Sequence, residues 1–112
     1  SDLVLQRAVL VPEDSFVWTA VLQDDLARHA VTMEEVEGLI DVVRRTREAE
    51  VCAVLKEDAD GSVRVSLRSL GAVDVCAIAQ ANGGGGHRFA AGFTSRDGVE
   101  ATARRIHDAL RG

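Results

Sequence analysis

The sequence contains no tyrosine, one tryptophan (Trp18), three phenylalanines (Phe16, Phe89 and Phe93), one proline and one methionine in 112 residues. So few rings exclude an aromatic-rich β-sandwich core. The interior must come from Val, Leu, Ile and Ala, which suits helices packed on a sheet. The same scarcity removes the stacking platforms of a typical single-strand RNA surface. Cysteine is equally sparse. Cys52 and Cys76 stand in no metal-like spacing. Both lie in apolar runs and read as small core residues, in keeping with a reducing, cytoplasmic setting. No apolar run is long enough to span a membrane, and there is no signal-peptide pattern.

Several reactive motifs are also missing. A G-x-G-x-x-G fingerprint would need glycine at Arg88 or Phe89, and no Gly-Lys-Ser/Thr triplet exists for a P-loop. There is no nucleophile elbow and no His-Glu-x-x-His. His29 and His107 have no partner at catalytic or metal spacing and read as helix-face or surface residues. No metal site is expected in this chain, which on its own lacks the equipment for hydrolysis.

What is present is one domain's worth of chain, residues 1–112, with 46% apolar residues to fill a core. The net charge of −5 is unevenly spread. Residues 1–81 carry 8 basic and 15 acidic side chains, whereas residues 82–112 carry 5 basic and 3 acidic. An acidic body argues against tight binding of long nucleic acid, which needs many phosphate contacts. A locally basic C-terminal third suits one small anion.

The pattern along the chain predicts alternating strands and helices. Leu3 to Pro12 is apolar without a clear period. Phe16 to Leu22 is rich in β-formers and reads as a buried strand. Thr32 and Glu35 form a capping box, with Val31 and Val36 placed as a hydrophobic staple. Val36, Leu39, Ile40 and Val43 then keep helical spacing, and Arg44, Arg45 and Arg47 complement the C-terminal dipole. A hairpin follows: Val51 to Lys56, a turn at Asp60-Gly61, and Ser62 to Arg68. In its second strand Val63, Val65 and Leu67 face one way while Arg64, Ser66 and Arg68 face the other. Asp74 caps a short helix through Val75, Ile78 and Ala79 to Asn82. Ala91 to Thr94 is strand-like. A last helix starts at Asp97, with Val99, Ala103, Ile106 and Leu110 inward. The fold class is therefore α/β: a mixed β-sheet flanked by helices in a single small domain.

The most informative stretch is Gly83-Gly84-Gly85-Gly86-His87. Glycine admits positive φ, so the backbone can turn sharply and point successive N–H groups into an anion-binding concavity. Ala90-Ala91-Gly92 keeps the neighbouring wall thin, and His87 adds a donor. A flexible linker is the alternative. Linkers are usually longer and mixed with polar residues, and this run is closed in by a helix and an apolar strand. Arg68 and Ser69 end the hairpin; Arg68 reads equally as a solvated residue of the exposed strand face or, returned toward the glycines by a short connector, as a guanidinium that can fork onto phosphate. Arg64 reads as a solvated residue on the exposed strand face.

Val65-Ser66-Leu67-Arg68-Ser69, a short helix, and Gly83 through Phe93 together resemble the DHH-associated C-terminal domain of DHH-family, RecJ-like phosphoesterases. The likeness is strongest to the nano-RNase and pAp-phosphatase branch, which includes cyclic-dinucleotide phosphodiesterases. The motif block covers about a quarter of the chain. The resemblance implies a substrate-binding role for Arg68, Ser69, Gly83, Gly84, Gly85, Gly86 and His87. His87 would lie near the scissile phosphate as an assisting residue. It also implies a DHH catalytic domain ahead of Ser1, carrying manganese on ligands this chain lacks. The expected partners are that domain and a short RNA or nucleotide phosphate, with room for a homodimer of the intact protein. Ser1-Asp2 in place of an initiator Met fits a fragment of something longer. The same domain resembles the C-terminal piece of alanyl-tRNA synthetases, so a non-catalytic RNA-binding or dimerising module is the alternative.

Overall fold

The computed structural model describes residues 7–25 and 32–112. The elements run β1 (Val9–Val11), a 3-10 turn (Pro12–Asp14), β2 (Phe16–Val21), α1 (Met33–Arg47), β3 (Val51–Glu57), β4 (Val63–Ser69), α2 (Val75–Ala81), β5 (Gly85–His87), β6 (Ala90–Ser95) and α3 (Val99–Arg111). The six strands form one mixed sheet in the order β1-β2-β3-β4-β6-β5. β2 and β3 are parallel and joined through α1, while every other neighbouring pair is antiparallel. The expected α/β class is thus observed.

Local signals act where the sequence places them. The Thr32 hydroxyl accepts from the Glu35 N–H at 3.2 Å and opens α1. The Asp74 carboxylate accepts from the N–H groups of Cys76 and Ala77 and opens α2. Asp60, at the β3–β4 turn, accepts from both the N–H and the hydroxyl of Ser62. The Val31 staple, the inward side chains of Val36 and Leu39, the segment from Leu3 to Gln6, and His29 lie outside the described residues.

Strand alternation divides the core in two. On one face Phe16, Leu55, Val65, Leu67 and Phe93 pack under α2 and α3, which contribute Val75, Ala79, Ala103 and Ile106. On the other, Val17, Val21, Cys52 and Val54 pack under Ile40 and Val43 of α1. That second cluster holds no residue of β4 or β6. Helix α1 therefore roofs only half of its face, and among the described residues the other half stays open.

Four expectations are corrected. The last helix begins at Val99 behind Gly98, not at Asp97; Gly98 has φ 83° and supplies no side-chain cap. Asp97 instead pairs with Arg105. Cys52 is buried as expected, but Cys76 is only partly so, and its thiol donates to the Gly86 carbonyl at 3.3 Å. His107 is not a solvated helix-face residue. It bonds Asp14 at 2.7 Å and stacks on Phe16 with 6.0 Å between ring centroids, a contact between distant parts of the chain that local spacing does not announce. Finally, Gly85–His87 is a strand rather than a turn.

Candidate functional site

The open half of the sheet is the floor of a cavity of about 650 Å³. Arg64, Ser66 and Arg68 reach it from β4, Gly92 and Thr94 from β6, and Gly85 from β5. Register explains the grouping. Ser66, Gly92 and Gly85 are Cα partners in one row across three strands, and Arg64 pairs with Thr94 in a second row. The floor is therefore small and flat in the middle, with an arginine toward each end.

Its charge is one-sided. Among the described residues no carboxylate lines the cavity, in a chain whose net charge is −5. The acidic residues of the adjoining hairpin are engaged elsewhere. Glu57 accepts from the Gln23 N–H, Asp58 pairs with Lys56, and Asp60 is held by Ser62 and lies 4.0 Å from Arg96. The two Ser62 hydrogen bonds hold the Asp60 carboxyl below the usual carboxylate range. Among the described residues neither Arg64 nor Arg68 has a carboxylate partner. One Arg68 nitrogen donates to the Leu67 carbonyl at 2.9 Å, which steadies the guanidinium at the rim. Beside it on β3 Cys52, its Cα partner, is buried, and that burial pushes the thiol up to about 12, so Cys52 is a neutral core group.

The glycine run does two jobs. Gly83, with φ 83°, ends α2: its N–H donates to the Gln80 carbonyl and the Gly84 N–H to the Ala79 carbonyl, the pairing of a Schellman C-cap. Those two amides are engaged in the cap, so the expected concavity of successive free N–H groups does not begin at Gly83. The middle of the run serves close packing. A Cβ on Gly84 would sit 2.1 Å from the Gly92 carbonyl oxygen, and one on Gly86 would sit 2.6 Å from that of Ala90. A Cβ on Gly85 would meet nothing within 4 Å. The linker alternative is set aside, since these residues are cap and strand.

The sequence-derived site residues divide in space. Arg68, Gly83, Gly84 and Gly85 line the cavity. His87 is exposed on the edge strand and shares a row with Ala90 and Arg68. Two strand spacings separate it from Arg68, about 10 Å. Ser69 points the other way. Its hydroxyl is buried, donates to Glu50 Oε1 and accepts from the Gly71 N–H, bracing the turn after β4. Arg64, read as a solvated strand residue, is exposed and also lines the cavity with Ser66 and Thr94. The signal for it was available, since Arg64, Ser66 and Arg68 fall on one face of β4 by simple alternation.

Among the described residues no group of three or more His, Cys, Asp or Glu side chains is placed to hold a metal ion. The polar side chains of the cavity, Arg64, Ser66, Arg68 and Thr94, do not fit a metal pair; all four can donate hydrogen bonds and two are cationic. No helix of the described residues is long and apolar enough to cross a membrane.

Comparison with solved structures shows the same fold. An exopolyphosphatase-related protein from Bacteroides fragilis superposes with a TM-score of 0.87 at 20% identity, covering 98% of this chain and 32% of that one. PggH from Vibrio cholerae, a pGpG-specific phosphodiesterase, gives 0.61 at 8% identity, covering 98% of this chain and 37% of that one. The chain thus spans about a third of the length of these two proteins. The C-Ala domain of Aquifex aeolicus alanyl-tRNA synthetase gives 0.65 at 17% identity, with 94% and 98% coverage. Below 25% identity these likenesses speak for architecture alone. A family model goes further: it matches residues 14–111, a span that contains the open sheet half, the Schellman-capped glycines and the β5–β6 hairpin, so the chain belongs to the DHHA1 domain family.

Proposed function

We propose that this chain holds the phosphate of a short nucleotide substrate for a cytoplasmic phosphoesterase of the DHH family. The substrates in this reading are short oligoribonucleotides, adenosine 3′,5′-bisphosphate or cyclic dinucleotides, as in the nano-RNase and pAp-phosphatase branch. The observation that carries it is a cavity that, among the described residues, has no carboxylate in its lining and two arginines without carboxylate partners, on a chain that is acidic overall. The pGpG specificity of the Vibrio protein supports a dinucleotide-sized ligand.

Each residue has a task under this reading. Arg68, anchored to the Leu67 carbonyl by one nitrogen, forks its remaining donors onto a phosphate. Gly85, where a Cβ would meet nothing within 4 Å, leaves room for sugar or base against the backbone. His87 donates from the edge strand toward the scissile end, where developing charge would be stabilised. Ser69 supports the turn that positions Arg68. Manganese, held by a DHH catalytic domain outside these residues, would activate the attacking water. The alternative is a module that holds tRNA, as the shared C-Ala fold allows.

The test uses the intact protein that carries this chain. Arg68→Ala and His87→Ala are expected to lower turnover of a 5′-phosphorylated RNA dinucleotide by roughly tenfold or more, the scale of a lost charge-assisted bond. The thermal midpoint should barely move. Full activity in both variants would overturn the site. Loss of tRNA retention with unchanged dinucleotide turnover would favour the alternative.

A further inference from the structure

The phosphate clamp at Arg68 uses only one end of the cavity. At the other end Arg64 stands on the same strand face, four residues earlier, a separation of about 13 Å between Cα atoms. Arg64 and its Cα partner Thr94 both line the cavity. Between the arginines lie Ser66, Gly92 and Gly85, none of which projects a bulky group. This geometry leaves space for a nucleoside and offers a cation at each end.

The surroundings of Arg64 keep it available for a ligand. Three carboxylates belong to the neighbouring hairpin, and each has a different partner: Gln23 for Glu57, Lys56 for Asp58, and Ser62 with Arg96 for Asp60. The hairpin thus prevents its own acids from neutralising the cavity's outer arginine. A guanidinium on a flexible stem can lean inward over the glycine floor, so the span between two held anions is shorter than the Cα separation.

We propose that Arg64 and Thr94 form a second anion subsite, which makes the cavity selective for ligands with two phosphates over ligands with one. The idea rests on the Arg68 phosphate reading and adds a length rule to it. A 5′-phosphorylated dinucleotide or a cyclic dinucleotide engages both arginines. A mononucleotide with a single phosphate engages Arg68 alone and leaves Arg64 in solvent. Arg64 is thus a specificity-determining residue rather than a catalytic one.

The experiment measures affinity in the intact protein for 5′-phosphorylated diadenylate and for adenosine 5′-monophosphate, in wild type, Arg64→Gln, Arg64→Lys and Arg68→Gln. The readout is the ratio of the two affinities. Arg64→Gln should reduce the preference for the dinucleotide by roughly tenfold, the scale of one charge-assisted contact. Arg64→Lys should restore part of it, because a point charge replaces the fork. Arg68→Gln should weaken both ligands and keep the ratio within about threefold of wild type. A wild-type ratio in Arg64→Gln, with both ligands weakened in Arg68→Gln, overturns the second subsite and leaves the first standing. If Arg68→Gln weakens neither ligand, the phosphate reading itself fails and the length rule fails with it.

Discussion

Val54 and Ser66 are Cα partners on adjacent strands and project to the same side of the sheet. Val54 is fully buried beneath α1, whereas Ser66 lies on the floor of an open cavity. Cys52 and Arg68 repeat the contrast two residues away. The difference lies in the roof and not in the strands. Helix α1 packs chiefly on β2 and β3, and the core cluster beneath it takes no residue from β4 or β6. One sheet face is thereby split into a sealed half that stabilises the fold and an exposed half that carries cations. A domain this small gains an open, cation-bearing surface by leaving half of a layer uncovered.

The contrast can be broken most severely by exchanging residues across it. Val54→Ser removes buried methyl groups and inserts a hydroxyl beneath α1; the expected cost is about 2–4 kcal/mol, read as a fall in the denaturant midpoint. Ser66→Val on the open side should stay within about 0.5 kcal/mol of wild type. Equal costs in the two variants would mean that the second half is covered as well.

The glycines give a second test of intermediate size. Gly84→Ala drives a methyl against the Gly92 carbonyl oxygen and should cost about 1–3 kcal/mol through forced displacement of β6. Gly85→Ala meets open space, so thermal stability should change little while affinity for a dinucleotide falls. Destabilisation by Gly85→Ala comparable to that by Gly84→Ala would show that the floor is a packing surface rather than a ligand surface.

The smallest effect concerns the hairpin that borders the cavity. Removing the hydroxyl in Ser62→Ala should let the Asp60 carboxyl return upward toward the ordinary range, measured by carboxyl chemical shift against pH. The sign follows from linkage: a depressed carboxyl stabilises the fold above its unfolded value and loses that contribution as pH falls through the folded one. The acid-side loss of stability should therefore be shallower in Ser62→Ala. An unmoved Asp60 titration would mean that Ser62 does not hold this carboxylate.

Much of this was legible in the residues. Strict alternation from Val63 to Arg68 announced β4 and sorted its two faces correctly. Thr32-x-x-Glu35 and Asp74 marked helix starts because their side chains satisfy amides one turn away, which is a local matter. The last helix misled because Asp97 has a capping side chain, yet the chain enters α3 through Gly98 and Asp97 is drawn to Arg105. Strand β5 escaped notice because glycine has no β preference of its own; only pairing with β6 makes it a strand. Arg64 was underestimated for a different reason. Periodicity tells which side of a sheet a residue faces, but not how far a helix from another part of the chain extends over that side. The His107–Asp14 contact is non-local in the same sense, since nothing near either residue names the other.

Both outer strands of the sheet, β1 and β5, are three residues long. A border that short offers a foreign strand too few backbone groups to pair with, so brevity protects the sheet against edge-to-edge aggregation. The shielding is needed most at β5, where two of the three residues are glycines without side chains and Pro or Lys would intrude on the cavity floor. Any engineering that lengthens β5 to enlarge the cavity would also create a sticky edge.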